Sequence, residues 1–148
     1  MEHTFYLDAH WDGGRNSTGT IAAGNLKQSI SIPKEMDGPG VGTNPDEMLL
    51  GAAATCFLIT YAAILERAAI KTDALALASE AIVDVTNNVF TFKKIHHRPT
   101  VTVFDASQIK KAEQLAFKAE QSCMISKAVA GNVQITVEPT VQSGASVE

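Results

Sequence analysis

The hydrophobic pattern changes character four times along the chain, and each change marks an element. From His3 to Trp11 the chain is rich in aromatic residues. Gly13-Gly14 then reads as a turn. Thr18 to Ala23 and Leu26 to Ile32 read as extended, with Gly24-Asn25 as the turn between them. Ile30 and Ile32 alternate with serines, as in a half-buried strand. Pro33 to Gly42 carries repeated Pro and Gly breaks and reads as a loop. A strong helix start follows: Asn44 to cap, Pro45 at the first helical position and Glu47 three residues after the cap. Asp46 and Glu47 also complement the positive end of the helix dipole. The pattern predicts a helix to about Ala69.

That helix contains 18 consecutive uncharged residues, Met48 to Leu65. The length is at the lower edge of a membrane span. Much of it is Ala, Gly and Thr, and Glu66-Arg67 follows at once without aromatic or basic anchors. The pattern therefore predicts a soluble-domain helix buried on all sides, with no membrane partner.

Beyond it the period switches to two. Ala78 to Val89 and Phe90 to Phe104 read as two long strands around Asn87-Asn88, a dipeptide suited to a tight hairpin turn. Pro99 predicts an edge position or a bulge there. Asp105 opens a second helix to about Ser122. Ile109, Ala112, Ala116 and Ala119 form its apolar stripe, with Lys110, Lys111, Lys118 and Glu120 outside it. Cys123 continues the stripe four residues on, so it should face the core. Met124 to Ala130 reads as a short helix ended by Gly131. Val133, Ile135 and Val137 alternate as a last strand. The small polar tail from Gln142 should be frayed. The order of elements predicts an α+β domain of antiparallel sheets around a long central helix.

Composition narrows the function. The 148 residues suit one domain, residues 1–148, with 45% apolar and 19% charged positions. Twelve basic residues against sixteen acidic ones, with no basic cluster, argue against a nucleic-acid partner. The start lacks a basic region followed by an apolar run, so cytoplasmic residence is expected, with thiols kept reduced. His96-His97 invites a metal reading. Neighbours in a strand point to opposite faces, so the two cannot chelate one ion, and no metal is expected.

The two cysteines remain. Cys56 and Cys123 lie 67 positions apart, and a domain of this size needs no covalent staple. Cys56 sits about three turns into the first helix, beyond the dipole's reach, where burial alone would raise its pKa and leave it inert. An active thiol there requires a cation from elsewhere, and Arg15 after Gly13-Gly14 could deliver one. A solvated turn arginine and two buried, unreactive thiols are the plain alternative.

The arrangement around these residues resembles the OsmC/Ohr family. The stretch from Gly42 through Asn44-Pro45-Asp46-Glu47 to Ala54-Thr55-Cys56-Phe57 is similar to its first cysteine motif. Cys123-Met124-Ile125-Ser126 is similar to its second, of the type Cys-Pro-x-Ser, and Gly13-Gly14-Arg15 resembles an Ohr-like Gly-Gly-Arg. The resemblance covers nearly the whole chain. It implies a thiol peroxidase acting on organic hydroperoxides, without metal or organic cofactor. Cys56 would form a sulfenic acid, and Cys123 would resolve it as a Cys56–Cys123 disulfide. Arg15 would hold the Cys56 thiolate, oriented by an acid at the helix start. A thiol reductant, of which a dihydrolipoyl protein is the Ohr-type example, would close the cycle.

Two departures stand out. Asp46 occupies the place ten before the first cysteine where the family usually has Glu, with Glu47 one position on. Met124 occupies the usual Pro. Asp46 and Cys56 also lie roughly 15 Å apart along one helix. If both serve one site, a second subunit is the simpler source of one of them, in keeping with the intertwined homodimer that the resemblance implies. Whether Arg15 acts within its own chain is left open by the sequence. Two further readings are a non-enzymatic stress or binding domain with inert cysteines, and a peroxide-sensing redox switch.

Overall fold

The structure is a computed structural model and describes residues 1–144. Its contacts divide the chain into two compact units, one from Met1 to Met48 and one from Leu49 onward.

The first unit holds a three-stranded antiparallel sheet, β1 (Asp8–Trp11), β2 (Gly19–Ala23) and β3 (Leu26–Ile30), in that order. The strands are shorter than the sequence suggests. Residues 1–7 form no strand, and Phe5 and Tyr6 are exposed, so the aromatic run is not a strand signal before Asp8. Leu26–Ile30 stops before Ile32 because Ser31 turns to the following loop, where its Oγ bonds both the N–H and the carbonyl of Val41. Gly42 closes that loop at φ +69°, with Ser29 O so near that a Cβ would clash at 2.0 Å. Only glycine serves at that position.

Helix α1 runs from Pro45 to Arg67, and Asn44 caps it as expected, its Oδ1 accepting the Glu47 N–H at 2.9 Å. It ends where Ala69 takes a left-handed φ of 59°. Only one face is buried: Ala53, Phe57, Tyr61, Ile64 and Leu65. The expectation of burial on all sides is therefore corrected for a single chain. The spacing explains it, because residues three and four apart share one face, and Ile59 on another face is 64% exposed. The helix is long and apolar enough to cross a membrane by length and composition alone. It behaves as a core helix, with its buried stripe packed in an apolar cluster and Tyr61 Oη donating to Ala112 O at 2.7 Å.

The second unit is built on the hairpin of β4 (Thr72–Thr86) and β5 (Val89–Val103). Asn87 and Asn88 form its turn with φ of 52° and 63°, both in the left-handed region that a tight hairpin requires. β4 begins six residues before the expected Ala78, because the alternation in Thr72–Leu77 is carried by low-propensity alanines. Next come α2 (Ile109–Ser122), α3 (Met124–Val129), β6 (Gln134–Val137) and β7 (Thr140–Ser143).

β6 and β7 both pair with β5, and both run parallel to it. β5 is therefore a central strand, which overturns the edge expected from Pro99. Pro99 is tolerated because it falls opposite the break between the two partners, after His97–Val137 and before Thr100–Thr140. The expected frayed tail is also corrected as far as Ser143, since Gln142 and Ser143 belong to β7. The rest of that expectation, residues 145–148, lies outside the described residues.

The core of this unit joins α1, α2 and the sheet. Ala112, Ala116 and Ala119 present the stripe foreseen for α2, and Val101 and Val103 face it from β5.

Candidate active site

Cys56 lies three residues after buried Ala53 and one before buried Phe57, at the flank of the buried stripe of α1. It is half-buried, whereas Cys123 is fully buried. Both thiols are free. Cys123 occupies a kink. It ends α2 and begins α3, with an extended backbone at φ −67°, ψ 125°. Its N–H returns to Ala119 O at 3.0 Å, and its carbonyl accepts the Lys127 N–H at 3.1 Å. The first N–H groups of a helix have no partner within it. Here they act on sulfur: the N–H groups of Met124 and Ile125 favour the ionised form of Cys56, and those of Ile125 and Ser126 that of Cys123.

The two thiols act on each other and are driven apart in acidity. Burial, the largest influence on Cys56, pushes its pKa up. Hydrogen bonds from the Cys123 thiol, the Ile125 N–H, the Thr60 hydroxyl and the Met124 N–H outweigh it and hold Cys56 below the ordinary thiol range. Thr60 Oγ1 stands 4.0 Å from the sulfur. Burial pushes Cys123 up, and its bond to Cys56 pushes it further. One sulfur is thus favoured as thiolate and the other as thiol, an arrangement suited to a nucleophile and a proton-bearing partner. The sequence suggested that burial would leave Cys56 inert without a cation. The kink's free N–H groups were the missing consideration.

The other candidate residues lie in the first unit. Arg15 is in the turn between β1 and β2 and donates to Met36 O at 2.9 Å, Asp37 O at 3.1 Å and Asn16 Oδ1 at 2.7 Å. Glu47 is exposed and accepts the Thr43 hydroxyl at 2.9 Å. Asp46 is partly buried beside it in the first turn of α1. Arg15 forms no ion pair with either acid; backbone carbonyls hold its guanidinium instead.

The two adjacent histidines diverge as strand geometry requires. His96 meets Thr136 and Glu138. His97 is fully buried, bonded through Nδ1 to Ser79 Oγ at 2.6 Å and stacked on Phe57 at 4.8 Å between ring centroids. Among the described residues no cluster of three His, Cys, Asp or Glu side chains is placed to hold a metal ion.

Residues 38–138 match the family described as OsmC-like protein. The chain belongs to the OsmC/Ohr family. It is 59% identical over 146 residues to the uncharacterized protein YmaD of Bacillus subtilis, covering 97% of each chain. It is 32% identical to organic hydroperoxide resistance protein-like 2 of Staphylococcus epidermidis, over 88% of this chain and 92% of that one. The fold is similar to the crystal structure of an organic hydroperoxide resistance protein from Legionella pneumophila. That match has a TM-score of 0.78 and 27% identity and covers 93% and 97% of the two chains. The OsmC/Ohr match spans both structural units and includes both cysteines.

Met124 gives this OsmC/Ohr chain a local difference. A proline at that position would carry no N–H; the methionine keeps one and directs it to Cys56. Thr60, Ser126 and Glu120 also belong to the neighbourhood and were not singled out by sequence. Ser126 stood inside the second motif, and Glu120 was placed on the outer face of α2, yet it is partly buried beside Ser126.

Proposed function

We propose that this chain is a cysteine-based, thiol-dependent peroxidase that reduces organic hydroperoxides to alcohols. The observation that carries the reading is a pair of free thiols that act on each other, Cys56 made more acidic and Cys123 less. Cys56 thiolate attacks the outer oxygen of the hydroperoxide. The O–O bond breaks, the alkoxide leaves and takes a proton as the alcohol, and Cys56 becomes a sulfenic acid. Cys123 then attacks that sulfur, a disulfide forms and water departs. An external dithiol, of the dihydrolipoyl class, reduces the disulfide. No cofactor enters the cycle.

Arg15, from this chain or a second copy, holds the thiolate and orients the peroxide, and Asp46 or Glu47 orients Arg15. The chain acts as one domain, residues 1–148, and as a homodimer in which a second copy covers the exposed apolar face of α1. Support for the dimer is that face itself, since exposed apolar surface of this kind marks interfaces. Residence in the cytoplasm fits a pair of thiols that must be kept reduced.

The test is consumption of an organic hydroperoxide in the presence of a dithiol. Cys56→Ser should abolish turnover, and Arg15→Met should move the pH profile of Cys56 alkylation upward. Full turnover in the Cys56 variant would sink the assignment.

A further inference from the structure

Thr60 lies in the middle of α1, between Ile59 and Tyr61, where threonine is a poorer helix former than the leucines and alanines around it. A helical threonine commonly turns its hydroxyl back to the carbonyl four residues earlier, here that of Cys56. The Thr60 hydroxyl is turned to the Cys56 sulfur instead, with Oγ1 4.0 Å away. The four-residue spacing puts both side chains on one face of the helix. Both are only partly buried, so neither is closed off from solvent within its own chain.

A separation of 4.0 Å is long for a direct hydrogen bond, even to sulfur. It is the right span for one oxygen atom held by both groups. A reacting oxygen stands roughly 3–3.5 Å from its nucleophile, and an O–H···O bond spans about 2.7–2.8 Å. These two sides close a triangle on the Cys56–Thr60 base, with an angle of roughly 80–90° at the shared oxygen. In-line attack on a hydroperoxide places the breaking O–O bond opposite the sulfur. The O–H bond stands close to a right angle to that O–O bond. Its proton can therefore point to the side where Thr60 Oγ1 lies.

We propose that the Thr60 hydroxyl is a second contact for the hydroperoxide, accepting the O–H of its outer oxygen and so aiming that oxygen at Cys56 Sγ. The role rests on the peroxidase reading. A hydroxyl offers one donor and two acceptor sites, so Thr60 can give its own hydrogen to the thiolate and take the peroxide's. The thiolate forms the S–O bond, and the O–O bond breaks. Its electron pair leaves with the alkoxide, which takes a proton from solvent. The sulfur is oxidised and the hydroperoxide reduced. The outer oxygen keeps its proton and becomes the sulfenic hydroxyl, still in reach of Thr60, which neither gains nor loses a proton. Thr60 and Cys56 share one helix, so this aim depends neither on Arg15 nor on Cys123.

The test compares two reagents for the same sulfur in the full, reduced chain, followed at Cys56 by mass spectrometry. The pH is set above the ionisation midpoint of Cys56 in every protein compared. Iodoacetamide needs the thiolate but has no peroxide O–H to be aimed; cumene hydroperoxide has one. Thr60→Val keeps the shape and removes the hydroxyl. It should react with iodoacetamide at the wild-type rate and with cumene hydroperoxide about tenfold more slowly. Thr60→Ser should restore the hydroperoxide rate. Equal slowing with both reagents, or none with either, overturns the proposal. Should Thr60→Val fail to fold, Thr60→Ala takes its place. A wild-type chain that reacts with iodoacetamide but not with hydroperoxide overturns the peroxidase reading and the role of Thr60 with it. A wild-type chain oxidised by hydroperoxide no faster than Thr60→Val overturns the role of Thr60 alone.

Discussion

A buried neutral histidine makes stability depend on pH in a definite window. Burial, with a smaller push from His96, takes His97 from 6.5 down to about 4. Its neighbours are Ser79 on β4, Phe57 on α1 and, in register, Val137 on β6. None of these is a charge that could stabilise an imidazolium, and Nε2 is unpartnered. Between the two pKa values the unfolded chain binds a proton that the folded chain refuses. Stability is therefore full above pH 6.5 and falls as pH drops toward about 4. At about 1.4 kcal/mol per pH unit, the whole difference amounts to about 3 kcal/mol. By about pH 5 roughly 2 kcal/mol should be gone. Urea unfolding from neutral to mildly acid pH measures this directly. Carboxylates also titrate near the acid end, so the control is His97→Phe, which keeps a ring on Phe57 and removes the proton site. The difference between wild type and variant should slope across the window. Parallel lines for the two proteins would refute the assignment of His97 as the responsible group.

Two further outcomes follow from the site and the core. Met124→Pro removes the N–H that reaches Cys56, so the midpoint of its alkylation profile should move to higher pH; an unmoved midpoint removes Met124 from the account. Tyr61→Phe deletes the buried bond to Ala112 O. It should cost about 1 kcal/mol, or about 2–4 °C in melting temperature for a chain this size, and a melt identical to wild type would show that the bond contributes nothing.

Local chemistry was legible in the sequence where it is set by neighbouring residues. Asn44 caps the helix it was expected to cap, Asn87-Asn88 turns the hairpin, and Cys123 faces the core at the end of the alanine stripe. Long-range pairing was not legible. Nothing near Pro99 says that β6 and β7 will share one side of β5 and leave a gap for it. Nothing near Gln142 says that it will find Thr102 across the sheet. The apolar character of α1 was read as full burial, whereas a single chain covers one face only. At the site, the residue types of the two motifs were visible, but the direction of the Cys56 shift was not. It depends on backbone N–H groups that one kink at Cys123 sets free, and backbone donors leave no mark in side-chain patterns. Ser126 and Glu120 escaped for a similar reason, since their burial depends on how α2 and α3 turn at that kink.

The parallel pairing of β5 with the chain's end also sets a timetable. β4 and β5 are adjacent in sequence and can close as soon as both have been synthesised. The other side of β5 must wait some thirty residues more, until Gln134–Val137 and then Thr140–Ser143 emerge. Cys123 and the kink that tunes Cys56 arrive in that same late stretch. A nascent or prematurely ended chain therefore carries Cys56 without its partner thiol and β5 with an open edge, two liabilities at once. Completion of β7 closes that edge of β5 soon after Cys123 has entered the chain, so the strand is covered at nearly the moment both thiols are present.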